Sequence, residues 1–166
     1  MALSLGACSP RQLIINEVAG ALATQGQAAE EDLVLAREAS AFYLKLSESV
    51  LQQTPGNLAL AASVAAGFTQ YAYAFVQGES ERTEAQDAQA AQKLRVRAAR
   101  LYQRAQRHAM RALELHSPGF ALALASPTTA NWPRITPEQV DLAYWAAASW
   151  GGLIALSKDQ PSVVAD

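Results

Sequence analysis

The sequence predicts an all-α fold in which about five main helices pair as antiparallel, tetratricopeptide-like hairpins. Its 166 residues are 51% apolar and 17% charged, with abundant alanine and few of the β-branched runs that form strands. Three segments have the spacing of a helix capping box. Two predicted helices end at the same Pro-Gly signal, which is typical of a helical repeat. A chain of this length is expected to form one domain with a sizeable core.

Helix starts are marked by a hydroxyl side chain followed three residues later by glutamine. Ser9–Gln12, Thr83–Gln86 and Thr136–Gln139 share this spacing, and two of them place proline at the first helical position. Together with the Gly and Pro stops, these signals predict helices over 10–24, 30–53, 58–77, 84–116 and 137–157, and a short turn of helix over 120–124.

The second and fourth predicted helices end alike, at Thr54–Gly56 and Ser117–Gly119, 63 positions apart. A helix that ends in proline and precedes an alanine-rich partner is the unit of tetratricopeptide-type hairpins, whose usual period is about 34 residues. The longer spacing predicts an elongated, degenerate repeat. The alternative is that two helices stop independently at Pro-Gly.

An uncharged run extends from Ser49 to Gly78. Its part from Asn57 to Gly78 is long enough to cross a membrane. However, alanine and glycine are only marginally hydrophobic, amide and hydroxyl side chains interrupt the run, and no Lys or Arg flanks it closely. We therefore expect a buried inner helix, in which small side chains let neighbouring helices approach closely.

The fourth predicted helix has a basic face. Its members recur at steps of three and four residues, so they fall within an arc of about 80°. This face could contact an acidic partner or lipid phosphates, or it could be a solvated surface whose charges pair with neighbours. The partner-contact candidates are Arg97, Arg100, Arg104 and Arg107, flanked by Lys93 and Arg111.

Composition and motifs argue against catalysis and nucleic-acid binding. The net charge of −2 and pI near 5.7 provide no general attraction for polyanions. His108 and His116 lie about 12 Å apart along one helix, too far for one metal ion. The chain has no phosphate loop and no HExxH or GxSxG motif. We predict a non-enzymatic protein without a cofactor or metal.

Large aromatic side chains concentrate on two helices that otherwise have small residues. Tyrosine and tryptophan combine an apolar body with a polar tip, which suits either a core or the lining of a ligand groove. Both interpretations stay open at this stage. The groove candidates are Tyr71, Tyr73, Phe75, Tyr144, Trp145 and Trp150.

The single cysteine, Cys8, ends the tetrapeptide Leu5–Cys8. That spacing is typical of a bacterial lipobox, in which the cysteine becomes a lipidated N-terminus after signal cleavage. Only seven residues precede it here. It is either the remnant of a lipoprotein signal or an incidental cysteine.

Five segments in a fixed order resemble one protein family. They are Gly67–Gln77, Arg95–Arg111, His116–Phe120, Tyr144–Gly151 and Leu156–Asp159. Together they look like the TRAP transporter T-component (TatT) family. The resemblance implies a periplasmic lipoprotein with a tetratricopeptide-like fold, anchored to a bacterial membrane through Cys8.

The resemblance also implies a function. It suggests an accessory protein of a tripartite ATP-independent periplasmic transporter that docks the substrate-binding protein and assists transfer of a small organic or apolar solute. The rival is a structural helical-repeat scaffold with no solute role. Homo-oligomerisation stays open, and the membrane is expected to be contacted only through the lipid anchor. The predicted domains are a signal and lipobox remnant over 1–8 and a helical-repeat domain over 9–166, the N-terminal part of a longer family architecture.

Overall fold

The computed structural model describes residues 10–25 and 30–157. Of these residues, 83% are helical and none is in a strand, so the predicted all-α class is confirmed. Ser9 and Cys8 lie outside the described residues. The helices are α1 Pro10–Gln25, α2 Leu33–Gln53, α3 Leu58–Tyr71, α4 Gly78–Thr83, α5 Ala88–His116, α6 Phe120–Leu124 and α7 Val140–Leu156.

Short polar side chains begin several of these helices. Asp32 precedes α2, Asn57 precedes α3, and each accepts a backbone N–H from the first turn of its helix. The predicted capping box at Thr136–Gln139 is present. It closes a 3₁₀ turn over Pro137–Gln139, and α7 continues directly from that turn.

The predicted helix start at Thr83 was wrong. Thr83 is the last residue of α4, and its carbonyl accepts the backbone N–H groups of Gln86 and Asp87 in a turn. The N-cap of α5 is Asp87, whose carboxylate accepts the N–H of Ala90 at 2.9 Å. Aspartate caps a helix as well as threonine does, and here its position after the turn decides where α5 begins.

The predicted end of the third helix at residue 77 was also wrong. A π-helical turn over Ala72–Gln77 joins α3 to α4, so the helical stretch continues to Thr83. Gly78 keeps right-handed helical angles, with φ −58° and ψ −34°, and therefore does not stop the helix. A π turn inserts one extra residue into the helix and shifts the side chains that follow it around the axis.

The centre of the bundle is α3, which packs against α1, α2, α5 and α7. Leu60, Ala61, Val64 and Ala65 of this helix are fully buried. By length and apolar composition alone, the stretch Leu58–Thr83 could cross a membrane, and more than half of its most apolar part is buried in the fold. A core helix of a soluble protein meets the same criteria.

Two glycines allow helices to come very close. A Cβ on Gly67 would lie 2.5 Å from the side chain of Leu44, which sets the distance between α3 and α2. A Cβ on Gly152 would lie 2.5–2.8 Å from the ring of Tyr102, which packs α5 against α7. The Tyr102 hydroxyl donates to Gln77 at 2.9 Å, and burial raises its pKa to about 12.

The ends of α2 and α5 share part of their geometry. Thr54 and Ser117 follow the two helices with similar backbone angles, φ −130° and ψ 55° against φ −134° and ψ 82°. After them the two paths differ, because Gly119 adopts φ 85° and Gly56 has no positive φ. The local stop signal is shared, and the tetratricopeptide-like repeat stays a prediction.

Candidate functional site

An open groove of about 640 Å³ runs along one face of α3. Its floor is α3 and the π turn, and one wall is α2. One side chain of α1 and two side chains of α7 complete the lining. The volume is within the range of about 300–1,000 Å³ that is usual for small-molecule sites.

Small side chains form the floor of the groove. They recur every three or four residues, so they lie on one face of the helix. Alanine and serine are too short to fill the space between α2 and α7, and the groove is the volume that they leave open. The same helix turns its other alanines, such as Ala61 and Ala65, into the core. The floor residues are Ala59, Ala62, Ser63, Ala66, Gly67 and Ala74, together with the longer Gln70.

Four aromatic side chains line the groove: Tyr43, Tyr71, Phe75 and Trp145. The rings of Tyr71 and Phe75 are 5.3 Å apart at their centroids and inclined by 54°, a favourable tilted arrangement. The Tyr43 hydroxyl donates to the backbone carbonyl of Leu22, which ties α2 to α1 beside the groove. The aromatic lining is therefore contributed by α2, α3, the π turn and α7.

The charged side chains that line the groove are all acidic. Glu30 precedes α2, and its Oε1 accepts the backbone N–H of Asp32 at 2.9 Å. Asp141 is in the first turn of α7, four residues before Trp145 and so on the same side of that helix. Among the described residues, no lysine, arginine or histidine lines the groove.

The structure brings together Tyr71, Phe75 and Trp145 of the six predicted groove residues. The other three do not line this groove. Tyr73 and Tyr144 are exposed by 67% and 62%, and the half-buried Trp150 packs against the hydrophobic core. Tyr73 and Phe75 are two positions apart in one helical stretch and so lie on nearly opposite sides of it, which leaves Tyr73 exposed while Phe75 borders the groove.

Away from the groove, the buried carboxylate of Glu48 joins α2 to α5. Arg104 binds it through two nitrogens, with Nε donating to Oε1 at 2.6 Å. His108 Nε2 lies 2.8 Å from Oε1, and Lys45 donates to Oε2 at 2.6 Å. Phe68 of α3 stacks on the His108 ring and lies 4.8 Å below the Arg104 guanidinium. Arg104 is therefore engaged within the fold.

Two opposing effects set the pKa of Glu48. Burial favours the neutral carboxyl and raises the pKa, whereas the hydrogen bonds from Arg104, Lys45 and His108 and the positive charge of Arg104 lower it. The bonds to the cations prevail, and the pKa falls from 4.5 to about 2. Glu48 is thus ionised at neutral pH.

The remaining basic-face candidates, Arg97, Arg100 and Arg107, are exposed on α5. Within the described part of the chain, none of them forms an ion pair. We call these three residues the arginine ridge. Arg104, by contrast, is paired with Glu48.

Comparison with known proteins places the chain in a family. The family model of the TRAP transporter T-component matches residues 29–166, which is most of the chain. The chain belongs to this family. T-components are parts of TRAP transporters and not enzymes, and such a component is located in the periplasm or at the membrane.

A relative of this T-component is described only as an uncharacterized protein of Treponema pallidum (strain Nichols). The two sequences are 28% identical over 132 residues, which is 77% of this chain and 41% of the relative. The T-component chain therefore spans about two fifths of the length of the relative that it matches.

Among the lining residues that sequence reasoning missed are one aromatic side chain, Tyr43, and both acidic ones, Glu30 and Asp141. Tyr43 is on a helix with no other sign of a site. The acidic pair comes from segments more than a hundred positions apart, so only the packing of α2 and α7 against α3 brings both to one groove. A signal was present for Asp141, because it precedes Trp145 by one helical turn.

Proposed function

We propose that this T-component docks the substrate-binding protein of its TRAP transporter through the arginine ridge. The observation that supports this proposal is the exposure of Arg97, Arg100 and Arg107 on one face of α5, without ion pairs to the described residues. Arginine forms bidentate hydrogen bonds with carboxylates, so the expected partner surface is acidic. Complementary charges of this kind raise the association rate and select the partner.

Arg104 is not part of the proposed docking surface, because it binds Glu48. Its pairing holds α5 against α2 and so fixes the direction in which the arginine ridge faces. A variant of Arg104 would disturb the fold and docking together, which makes it a poor probe of docking.

The docking proposal is tested by charge reversal. The triple variant Arg97→Glu, Arg100→Glu, Arg107→Glu should weaken binding to the cognate substrate-binding protein at least tenfold, a loss of about 1.4 kcal/mol or more. Arg134→Glu, in an exposed loop, measures the effect of one such charge reversal away from the ridge and is compared with Arg100→Glu alone. Calorimetry gives the affinities, and circular dichroism checks that the variants stay helical. Unchanged affinity of the triple variant would show that the arginine ridge does not take part in docking.

We also propose that the groove holds a small solute with an apolar body during its transfer. Its volume, its alanine floor and its four aromatic side chains support this role. In the rival, a scaffold with no solute role, the aromatic side chains belong to the core. Trp150 supports that rival, because it packs against the core outside the groove.

A substitution that fills the groove separates these two functions. Ala66→Phe places a ring on the floor, where the structure has open space. It should abolish solute binding, measured by the fluorescence of Trp145, and leave docking of the substrate-binding protein intact. Both the native chain and Ala66→Phe also carry Trp132→Phe and Trp150→Phe, so that Trp145 is the source of the fluorescence signal. If the native groove binds no apolar probe, the scaffold remains.

Finally, we propose that Cys8 carries the lipid anchor of the protein. The tetrapeptide Leu5–Cys8 supports this, and Cys8 is outside the described residues. Cys8→Ser, expressed in a bacterium from the natural gene, should move the protein from the membrane fraction to the soluble fraction. Retention at the membrane would show that another feature attaches it.

A further inference from the structure

The π turn over Ala72–Gln77 belongs to the groove on one side and to the core on the other. Ala74 and Phe75 line the groove, whereas Val76 is fully buried. We propose that Tyr102 of α5, which lies outside the lining, is a positioning residue for the solute, because it holds the π turn in the register that shapes the groove. This inference rests on the proposed solute role of the groove and names a residue outside it that sets the affinity.

The register of the turn is visible in its hydrogen bonds and in the burial that follows it. The N–H of Gly78 donates to the carbonyl of Tyr73, five positions earlier, where an α-helix would use the fourth. Ala72 and Ser80 are both buried. In an unbroken α-helix they would lie about 80° apart around the axis, and the one extra residue of the π turn reduces this to about 20°. The turn therefore keeps the residues after it aligned with the core.

Pi turns are rare in proteins, and here α5 supplies a contact that fits this register. The hydroxyl of Tyr102 donates to Oε1 of Gln77, the last residue of the turn, at 2.9 Å. Tyr102 is only 2% exposed, and its ring lies close to the backbone of α7 at Gly152. In an α-helical register the Gln77 side chain would turn away by up to about 100°, and a buried hydroxyl would lose its acceptor. The bond to Tyr102 therefore favours the π register.

The same register decides where two lining side chains stand. Ala74 and Phe75 are inside the turn, so a shift to an α-helical register would rotate them relative to the floor residues that precede it. The ring of Phe75 also contacts that of Tyr71, with 5.3 Å between the centroids. A solute that contacts Phe75 thus distinguishes the two registers. Loss of the bond between Tyr102 and Gln77 should lower the affinity, because less of the chain has the register that binds.

Titration of the whole chain with N-phenyl-1-naphthylamine, a neutral apolar dye whose fluorescence rises when it leaves water, tests the inference. Ala66→Phe, which fills the groove, should abolish the binding and so locate the dye. Tyr102→Phe and Gln77→Met should each weaken the binding about fivefold, the equivalent of one hydrogen bond. The double variant should bind about as well as either single one, because both substitutions remove the same bond. Tyr73→Phe, an exposed tyrosine of the same turn, is the matched control and should keep the native affinity.

The backbone amide signal of Gly78 in the NMR spectrum provides a readout that general destabilisation would not move in this way. This N–H makes the hydrogen bond that defines the π register. In free Tyr102→Phe the signal should shift away from its native position, and saturation with the dye should return it towards that position, because the dye selects the π register. Circular dichroism checks that each variant stays helical.

The outcomes separate the two proposals. If the native chain does not bind the dye, or if Ala66→Phe leaves the binding unchanged, the solute role of the groove fails and the inference fails with it. If the dye binds in the groove but Tyr102→Phe and Gln77→Met bind it as tightly as the native chain, the inference is wrong while the solute role stands. An equal loss in Tyr73→Phe, or a Gly78 signal that does not move, would also overturn the inference.

Discussion

Removing the charge of Glu48 should destabilise the bundle in a way that depends on pH. Glu48→Gln keeps the shape of the side chain and replaces the carboxylate by a neutral amide. In the native chain that carboxylate is only 4% exposed and binds Arg104, Lys45 and His108. The substitution therefore leaves a cation at the junction of α2 and α5 without its counter-charge.

The pKa of Glu48 sets the size of the effect. A fall from 4.5 to about 2 means that the folded state favours the ionised form by about 3 kcal/mol, at 1.36 kcal/mol per pKa unit. Because Lys45 and Arg104 are themselves 62% and 35% exposed, solvent screening reduces this stabilisation to about 2 kcal/mol. Loss of one partner of a fully buried pair costs about 3–5 kcal/mol, an upper limit here.

The sign of the pH dependence follows from the lowered pKa. The stabilisation is fully present above pH 4.5, the unfolded value, and is lost as the pH falls towards 2. Glu48→Gln should therefore unfold about 2 kcal/mol more easily than the native chain at pH 7, and the difference should vanish near pH 2.

Urea unfolding followed by circular dichroism, at pH values between 2 and 7, measures this difference. Glu38→Gln on the same helix is the control, because Glu38 is exposed and should change stability by less than about 0.5 kcal/mol. An equal destabilisation by Glu48→Gln at pH 2 and pH 7 would show that the shape of the side chain, and not its charge, is responsible.

Three further substitutions test the packing and the caps. Gly152→Ala should cost about 1–3 kcal/mol, because its methyl group collides with Tyr102, whereas Gly151→Ala, with no atom within 4 Å, should be neutral or stabilising; thermal melts compare the two. Tyr43→Phe should cost about 1 kcal/mol in urea unfolding and increase proteolysis in α1, and unchanged proteolysis would contradict the role of its hydrogen bond. Thr136→Ala should cost about 1 kcal/mol by loss of the capping box, and a cost near zero would show that the cap is redundant.

Local chemistry made most of the helices predictable from sequence. The Pro-Gly stop after Gln53 and the capping box at Thr136 depend on neighbouring residues only, and both are where the sequence placed them. The start at Thr83 failed because a second capping residue, Asp87, follows a turn later. Sequence alone does not decide between two acceptable caps so close together.

The π turn and the groove depend on packing between distant segments. Nothing in the sequence of Ala72–Gln77 distinguishes a π turn from an α-helix. The last residue of the turn, Gln77, accepts a hydrogen bond from Tyr102, which is 25 positions away in the sequence. The alanine spacing of α3 was visible in the sequence, but it did not show which alanines would be buried. The groove exists because α2 and α7 stand apart on that face.

The basic face shows the same limit. Periodicity placed all its arginines on one side of a helix, but it gave no sign that Arg104 differs from Arg100 and Arg107. The difference arises because Glu48, 56 positions away, is brought to Arg104 by the packing of α2 against α5. The sequence thus predicted the basic face, and the fold decides which of its members pair with another described residue.

Arginine-specific chemical labelling of the complex with the cognate substrate-binding protein tests docking through the arginine ridge. In the free chain, phenylglyoxal should modify the exposed Arg97, Arg100, Arg107 and Arg134, and mass spectrometry should locate each adduct. Saturation with the partner should protect the three ridge residues and leave Arg134 modified as before. Equal labelling of the ridge in the free and bound chain would show that the partner does not dock there.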